Sequence, residues 1–278
     1  MSNNGEKKNV NYVGNAYSKF RPTYSYEIYS LIYETHNANQ GEYNLAIDVG
    51  CGTGQVTTIL AEKFKQVHGI DTLEEQINNA IRRSNITYKV GPAENLSQFA
   101  DNSVDLITVG TAFHWFDHEK FLQEAKRVLK KDGKGTLAIF GYYYPRIKNE
   151  PEADNLLKGF TKDVYDPVAN ENIRYIKNMY RDIKYPFKNQ VWYITPTSED
   201  VTRISRPTRG PLMEASMTME NFKHYMKTSS AYSNYIEENK DKDDPADKLV
   251  RDLMETMNIT DYNHVIQLEW PTVLVLLN

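Results

Sequence analysis

Between residues 45 and 140 the chain alternates short apolar runs with stretches of helical period. LAIDV, QVHGID, ITYKV, VDLITV and GTLAIF read as five strands. Val56, Ile59, Leu60 and Phe64 fall on one face of a helix over QVTTILAEKF. Leu73, Ile77, Ala80 and Ile81 do the same over LEEQINNAI, as do Phe121, Leu122, Ala125, Val128 and Leu129 between 117 and 130. Asp132-Gly133 turns the chain into the fifth strand. This β-α-β-α-β rhythm predicts an α/β fold, a doubly wound and mostly parallel sheet with right-handed crossovers and helices on both faces.

The rhythm stops near residue 140. ENIRYIKNMY reads as helix, QVWYIT as strand, and MENFKHYMKTSSAYSNYIEE as one long amphipathic helix or a helix pair. Asp244-Pro245 suits a helix start. HVIQLEWPTVLVLLN reads as strand interrupted at Pro271. Upstream, Tyr26, Tyr29, Ile32 and Tyr33 recur at helical spacing, with Pro22 ahead of them.

With 278 residues, 40 % hydrophobic and 25 % charged, the chain can bury a sizeable core without staples. Its single cysteine, Cys51, allows no internal disulfide and fits a reducing cytoplasmic setting. The net charge of −4 disfavours nucleic acid as partner. MSNNGEKKNVNY has no apolar core, so no signal peptide is expected, and no apolar run approaches the roughly 20 residues of a membrane span.

The candidate chemistry begins at AIDVGCGTGQ. Asp48 ends an apolar run, and Gly50, Gly52 and Gly54 follow at alternate positions before an amphipathic helix. Such a turn lets backbone approach a ligand closely. Asp71 ends the next strand, where an acid can accept ribose hydroxyls. No Gly-Lys-Ser/Thr ending is present, and Gln55 stands where the dinucleotide fingerprint needs its third glycine. Asp48 beside a pyrophosphate is a like charge, whereas beside an ammonium it is favourable. S-adenosylmethionine carries an adenosine, an ammonium and a sulfonium and no phosphate, so it suits this acid-glycine pattern better. A purely structural role, with Asp48 capping a tight turn, stays open. Cys51 reads as a small side chain that fits the loop, since no activating base stands beside it.

DVGCGTGQ, GIDTLEEQI, GPAENL, DNSVDLITVGTAFHWFD and RVLKKDG together resemble the successive motifs of class I S-adenosylmethionine-dependent methyltransferases. YSKFRPTY and HWFD narrow the resemblance to the fungal trans-aconitate and cantharidin-resistance type of small-molecule methyltransferase, and MKTSSAYSNY is similar to part of that group's insertion. The resemblance implies a seven-stranded Rossmann-like sheet whose last strand is antiparallel, and S-adenosylmethionine as cofactor. It implies that Asp48, Gly50, Cys51, Gly52, Thr53 and Gly54 hold the methionine end, and that Asp71 and Thr72 lie at the ribose. Ala93 and Glu94 border the adenine, Gly110, Thr111 and Ala112 line the methyl side, and Tyr17, Phe20 and Arg21 close over the site. The chain then divides into a helical lid segment (1–40), a cofactor-binding core (41–144), a substrate-side strand and helical insertion (145–262) and a closing strand (263–278). Pro92, where many relatives carry an acid, leaves adenine recognition to backbone; Lys131-Asp132-Gly133 and Ser25 are lesser departures.

TAFHWFDH follows the fourth strand, at the carboxyl edge where open α/β sheets bind ligands. His114 reads equally as a general base or a pocket-lining histidine. His114 and His118 are spaced i, i+4, but Trp115 stands where the helix-borne zinc pair has glutamate, so no metal is expected. Trp115 and Tyr142 are expected to wall an apolar substrate cavity, and Arg203 and Arg206, near Arg209, to anchor a carboxylate. The expected activity is methylation of a small molecule, a carboxylate becoming its methyl ester. Methylation of a hydroxyl, an amine or a protein, or cofactor binding without catalysis, remains the alternative.

Overall fold

The computed structural model describes residues 20–196 and 202–278. Two units make up the chain: Thr23–Pro145, Asn172–Glu214 and Glu269–Asn278 in one, and Arg146–Glu171, Ala215–Leu268 and residues 20–22 in the other. In chain order the strands are β1 (Leu45–Val49), β2 (Gln66–Asp71), β3 (Ile86–Val90), β4 (Leu106–Gly110), β5 (Thr136–Tyr142), β6 (Arg146–Ile147), β7 (Gln190–Thr195), β8 (Glu214–Thr218), β9 (Val265–Glu269) and β10 (Thr272–Leu277).

The first unit is built on a seven-stranded sheet in the order β3-β2-β1-β4-β5-β10-β7. Strands β1 to β5 pair in parallel, while β10 runs antiparallel to both β5 and β7. Every residue of β5 and β10 is buried, so both read as unbroken apolar runs, as strands covered on two faces must. One face is packed by Phe121, Leu122, Ala125 and Val128 of helix His118–Val128, together with Ile176, Met179 and Tyr180. The other is packed by Ile28, Leu31 and Ile32 of helix Tyr26–Ala38 and by Val56 and Leu60 of helix Gln55–Leu60. The order of connection reverses at β1, which has β2 on one side and β4 on the other. That is the switch point at which such sheets open a crevice.

Local competition shortens two expected helices. The helix after β1 stops at Leu60, although Phe64 stays buried. Asn85 explains the stop: its side-chain amide donates to the carbonyls of Ala61 and Phe64 and takes over acceptors a longer helix would use. The helix after β2 spans only Glu74–Asn78.

Residues 172–214, expected inside an insertion, belong with the large sheet. They supply helix Ile173–Lys177 and β7, whose six residues pair with β10 and whose Ile194 enters the core. Of the closing segment only β10 joins that sheet; β9 lies in a three-stranded sheet ordered β6-β9-β8. The second unit adds helices Pro151–Phe160, Met219–Lys227, Ser230–Glu238 and Pro245–Thr256, with Leu157, Phe222, Met226, Leu249, Leu253 and Ile266 buried. The long amphipathic stretch is therefore a helix pair, broken where the Ser229 hydroxyl caps the second helix by accepting from Ala231 N–H. Asp244 caps the last helix through the N–H groups of Ala246 and Asp247. Among the described residues no helix is long and apolar enough to cross a membrane.

His36 is fully buried, with Nε2–H donating to the Glu42 carbonyl at 2.8 Å and Nδ1 lying 3.0 Å from Thr136 Oγ1. Burial pushes its pKa below the ordinary value, and burial does the same to His68 and His118. A histidine held neutral in the fold binds fewer protons than its unfolded counterpart, so stability falls as pH drops below about 6.5. Urea midpoints should therefore decrease from pH 7.5 to pH 5.5, and His36→Gln should flatten part of that slope. An unchanged slope in the variant would remove His36 from this account.

Candidate functional site

Strand β1 delivers a loop in which Gly50, Gly52 and Gly54 all take the left-handed backbone region, at φ 69°, 54° and 87°. The loop is pinned from beneath, because Gly50 N–H and Cys51 N–H both donate to the Ile70 carbonyl of β2, at 2.7 and 3.1 Å. A side chain at Gly50 would lie 2.4 Å from the Ala112 Cβ, so this glycine lets the loop meet the exit of β4. One at Gly54 would lie 2.1 Å from the Tyr88 hydroxyl, and one at Gly69 would strike the same ring at 2.5 Å. Gly52 differs: its nearest neighbour would be Gln76 Oε1 at 3.8 Å, which leaves room for a ligand against the backbone.

Two carboxylates flank the loop and do different work. Asp71 Oδ2 accepts from Gly52 N–H at 2.8 Å and Oδ1 from Leu73 N–H at 2.9 Å, so the end of β2 fixes the loop. Asp71 stays partly exposed and each oxygen keeps a further lone pair. Asp48 is 1 % exposed. Its Oδ2 accepts from Thr57 Oγ1 at 2.6 Å and its Oδ1 from Thr108 Oγ1 at 2.8 Å. The direct hold on an ammonium expected of Asp48 gives way to an internal one, in which it fastens β1 to β4 and to the helix after the loop. Burial raises its pKa to about 6 against the lowering effect of the two hydroxyls. Cys51 is buried, and desolvation with Asp48 nearby holds its thiol far above the ordinary range, so it is no nucleophile. Thr53 offers its carbonyl to Ile81 N–H, and Thr72 is exposed.

At the exit of β4, Thr111 adopts φ 50°, a strained value for a β-branched residue. Its N–H donates to the Phe140 carbonyl, and its hydroxyl lies 2.5 Å from that of Tyr24. Gly110 makes the approach possible, since a Cβ there would sit 3.2 Å from the Tyr24 hydroxyl and from the Phe140 ring. A single 3-10 turn, Phe113–Trp115, follows. His114 is buried, with Nδ1 3.1 Å from the Tyr180 hydroxyl; Trp115 is half-buried against the His114 ring at 4.7 Å. His118 Nε2–H donates to the Phe113 carbonyl at 3.0 Å, which commits it to the turn. Among the described residues no three histidine, cysteine or acidic side chains gather as a metal site.

Ala93 is buried beyond β3, and Glu94 Oε1 accepts from Asp117 N–H at 2.7 Å. Tyr142 is buried at the end of β5, 6.1 Å from the Tyr24 ring and 6.4 Å from that of Trp270. Tyr17 lies outside the described residues. Phe20 stacks on His224, and Arg21 donates to Thr228 Oγ1 at 3.0 Å with its guanidinium over Tyr225, all within the second unit. Arg203 and Arg206 are exposed, and Arg206 N–H donates to the Trp192 carbonyl of the outer strand β7. β7 lies three strands from β4 in the sheet order, about 14 Å at ordinary strand spacing. Arg209 is paired with Glu34 at 2.7 Å. None of these three arginines is built as a buried carboxylate anchor.

Sequence reasoning missed Tyr24, Tyr88 and Tyr180. Tyr88 has a signal in hindsight, because it stands directly opposite Gly69 across β2 and β3. Tyr180 has none, for it reaches His114 from 66 positions away.

Residues 47–137 match the family model described as a methyltransferase domain. The chain is 29 % identical over 280 residues to the probable S-adenosylmethionine-dependent methyltransferase CRG1 of Saccharomyces cerevisiae, covering 95 % of this chain and 94 % of that one. It is 38 % identical over 178 residues to a Dictyostelium discoideum protein named as a methyltransferase, covering 64 % of this chain and 65 % of that one. A solved structure from Anaeromyxobacter dehalogenans, named as a type II methyltransferase, superposes with a TM-score of 0.72 at 25 % identity, over 92 % of this chain and 97 % of that one.

The pKa of Asp48, raised to about 6, has a consequence for stability. The folded carboxyl binds more protons than the unfolded one between about pH 4 and pH 6, so its contribution to stability is lost as pH rises through that window. Asp48→Asn should remove this slope. Relative to the parent, the variant should gain on the order of 1–3 kcal/mol between pH 4.5 and pH 7.5 in urea unfolding. A difference between the two proteins that does not change with pH would show that the buried carboxylate is not under this strain.

Proposed function

We propose, from the premise that this chain is a class I S-adenosylmethionine-dependent methyltransferase, that it methylates the carboxylate of a small, partly apolar acid. The observation that carries the acceptor class is the partner of His114. Its Nδ1 faces the hydroxyl of a buried tyrosine. Histidine bases are strengthened by a carboxylate on that nitrogen, which stabilises the imidazolium. A phenol does so far less, and that favours an acceptor already ionised at neutral pH.

The residues around the glycine loop fit the cofactor. Gly52 leaves open room beside its backbone, and the partly exposed acid that borders the loop, Asp71, suits a cationic ligand without phosphate. Asp71 is the residue to hold the ribose hydroxyls, Ala93 and Glu94 the adenine border, and Gly110 to Ala112 the wall on the methyl side. When bound, S-adenosylmethionine supplies a methyl group on a cationic sulfur. The chain's own part is alignment and exclusion of water. The strained Thr111, locked to Tyr24 and to the Phe140 carbonyl, fixes the wall, and the turn Phe113–Trp115 closes it with aromatic surface. The net charge of −4 supports a small acid over a polyanionic polymer.

Incubating the full chain with labelled S-adenosylmethionine and a panel of carboxylic acids, phenols and amines, read by mass spectrometry, should give methyl esters. His114→Ala should keep measurable turnover. Asp71→Ala should weaken cofactor binding by about 1.5–3 kcal/mol, or roughly ten- to 150-fold. Ethers or methylamines formed by the parent and lost in His114→Ala would overturn the carboxylate reading.

A further inference from the structure

The His114–Tyr180 pair carries more information than contact. The two rings are nearly parallel, 19° apart in plane, with the hydroxyl 3.1 Å from Nδ1. Tyr180 is fully buried, and burial pushes its phenol well above the ordinary value, so it keeps its proton. A phenol O–H is a stronger acid than a neutral imidazole N–H, and an imidazole nitrogen is a stronger base than a phenol oxygen. The hydrogen bond therefore runs from the Tyr180 O–H to Nδ1. With Nδ1 accepting, the proton of the neutral imidazole resides on Nε2.

The fold holds Tyr180 for this contact. Met179 and Tyr180 both take positive φ, 52° and 55°. Tyr180 N–H donates to the Tyr175 carbonyl at 2.7 Å, and the Tyr185 hydroxyl donates to the Tyr180 carbonyl at 3.1 Å. The Phe113 ring packs edge-on at 5.4 Å. On β5 a glycine stands where a Cβ would come within 3.0 Å of the phenol oxygen, at Gly141.

We propose that Tyr180 is a positioning residue that fixes neutral His114 as its Nε2–H tautomer and so withdraws it as a base, restricting the reaction to acceptors that arrive ionised. The tautomer stands on the contact and on the acid and base strengths of its two groups; the identity of the acceptor rests on the carboxylate reading above. For a carboxylate the step balances without a base. Its oxygen forms the new bond to the methyl carbon, the electron pair of the old bond stays on sulfur as the thioether leaves, and no proton moves.

Nitrogen NMR of the uniformly 15N-labelled full chain decides the matter, with the His114 signals identified by their loss in His114→Gln. Above neutral pH the parent should show Nδ1 as an unprotonated, hydrogen-bonded nitrogen and Nε2 as protonated. Tyr180→Phe should move the Nδ1 resonance toward that of an unbonded nitrogen. A protonated Nδ1 in the parent overturns the proposal, and that measurement needs no folded variant at position 180. An Nδ1 signal unmoved in Tyr180→Phe overturns the role given to Tyr180. If the expected spectra appear but the products are ethers or methylamines, the carboxylate reading and the restriction to ionised acceptors both fail, while the tautomer assignment stands.

Discussion

A buried carboxylate at the centre of the sheet holds the site together. Asp48 lies on β1 between two parallel neighbours, and Thr57 and Thr108 each donate to one of its two oxygens. An ionised group in that position is expensive unless it is hydrogen-bonded, and two neutral hydroxyls compensate only in part. The raised pKa records the shortfall. In return, the end of β1 has one position relative to β4 and to helix Gln55–Leu60. The contact of Gly50 with Ala112 depends on that registry, and so does the placing of the glycine loop beside the exit of β4.

The three loop glycines show how much of the site was legible and where reading stopped. Their presence after a strand marks a tight turn open to a ligand, and all three do take positive φ. Only Gly52 is open in the way that reading supposes. Gly50 is required by Ala112 and Gly54 by Tyr88, packing partners 62 and 34 residues downstream that depend on strand order and register. The pairing of Gly69 opposite Tyr88 produces the second of these, and no local pattern states it. Strands β1, β4 and β5 were legible as short apolar runs bounded by turns, β2 and β3 by their alternation of apolar and polar positions, and β7 as an apolar run. Its membership of the large sheet was not, since that follows from pairing with β10, far away in sequence.

Charged residues were the least legible. Asp48 and the arginines were read by what their charge could attract, and the structure gives several of them partners within the fold. Asp48 turns inward to two threonines, Arg209 pairs with Glu34, and Arg21 lies against Thr228 and Tyr225. Long cationic side chains find such partners through tertiary proximity, which composition and spacing do not encode. His114 was legible as a candidate because of its place after β4. Its chemistry was not, because that depends on a tyrosine arriving from the turn after helix Ile173–Lys177.

Helix His118–Val128 links the two halves of the crevice. At its start, the Asp117 N–H is taken by Glu94, and the His118 ring reaches back to the Phe113 carbonyl, so the turn bearing His114 and the loop bearing Ala93 share one anchor. Near its end, Arg127 donates to the carbonyls of Leu96 and Phe99 and pairs with Asp101 and Glu124, while Glu124 accepts from Leu96 N–H. The loop bearing Ala93 and Glu94 is thus held to this helix at both of its ends, and the turn bearing His114 is held to the first of them. A ligand that orders this loop therefore bears on the same rigid element that carries the turn. Arg127 bears on the loop directly, through hydrogen bonds to Leu96 and Phe99, whereas the turn is fastened at the other end of the helix through His118.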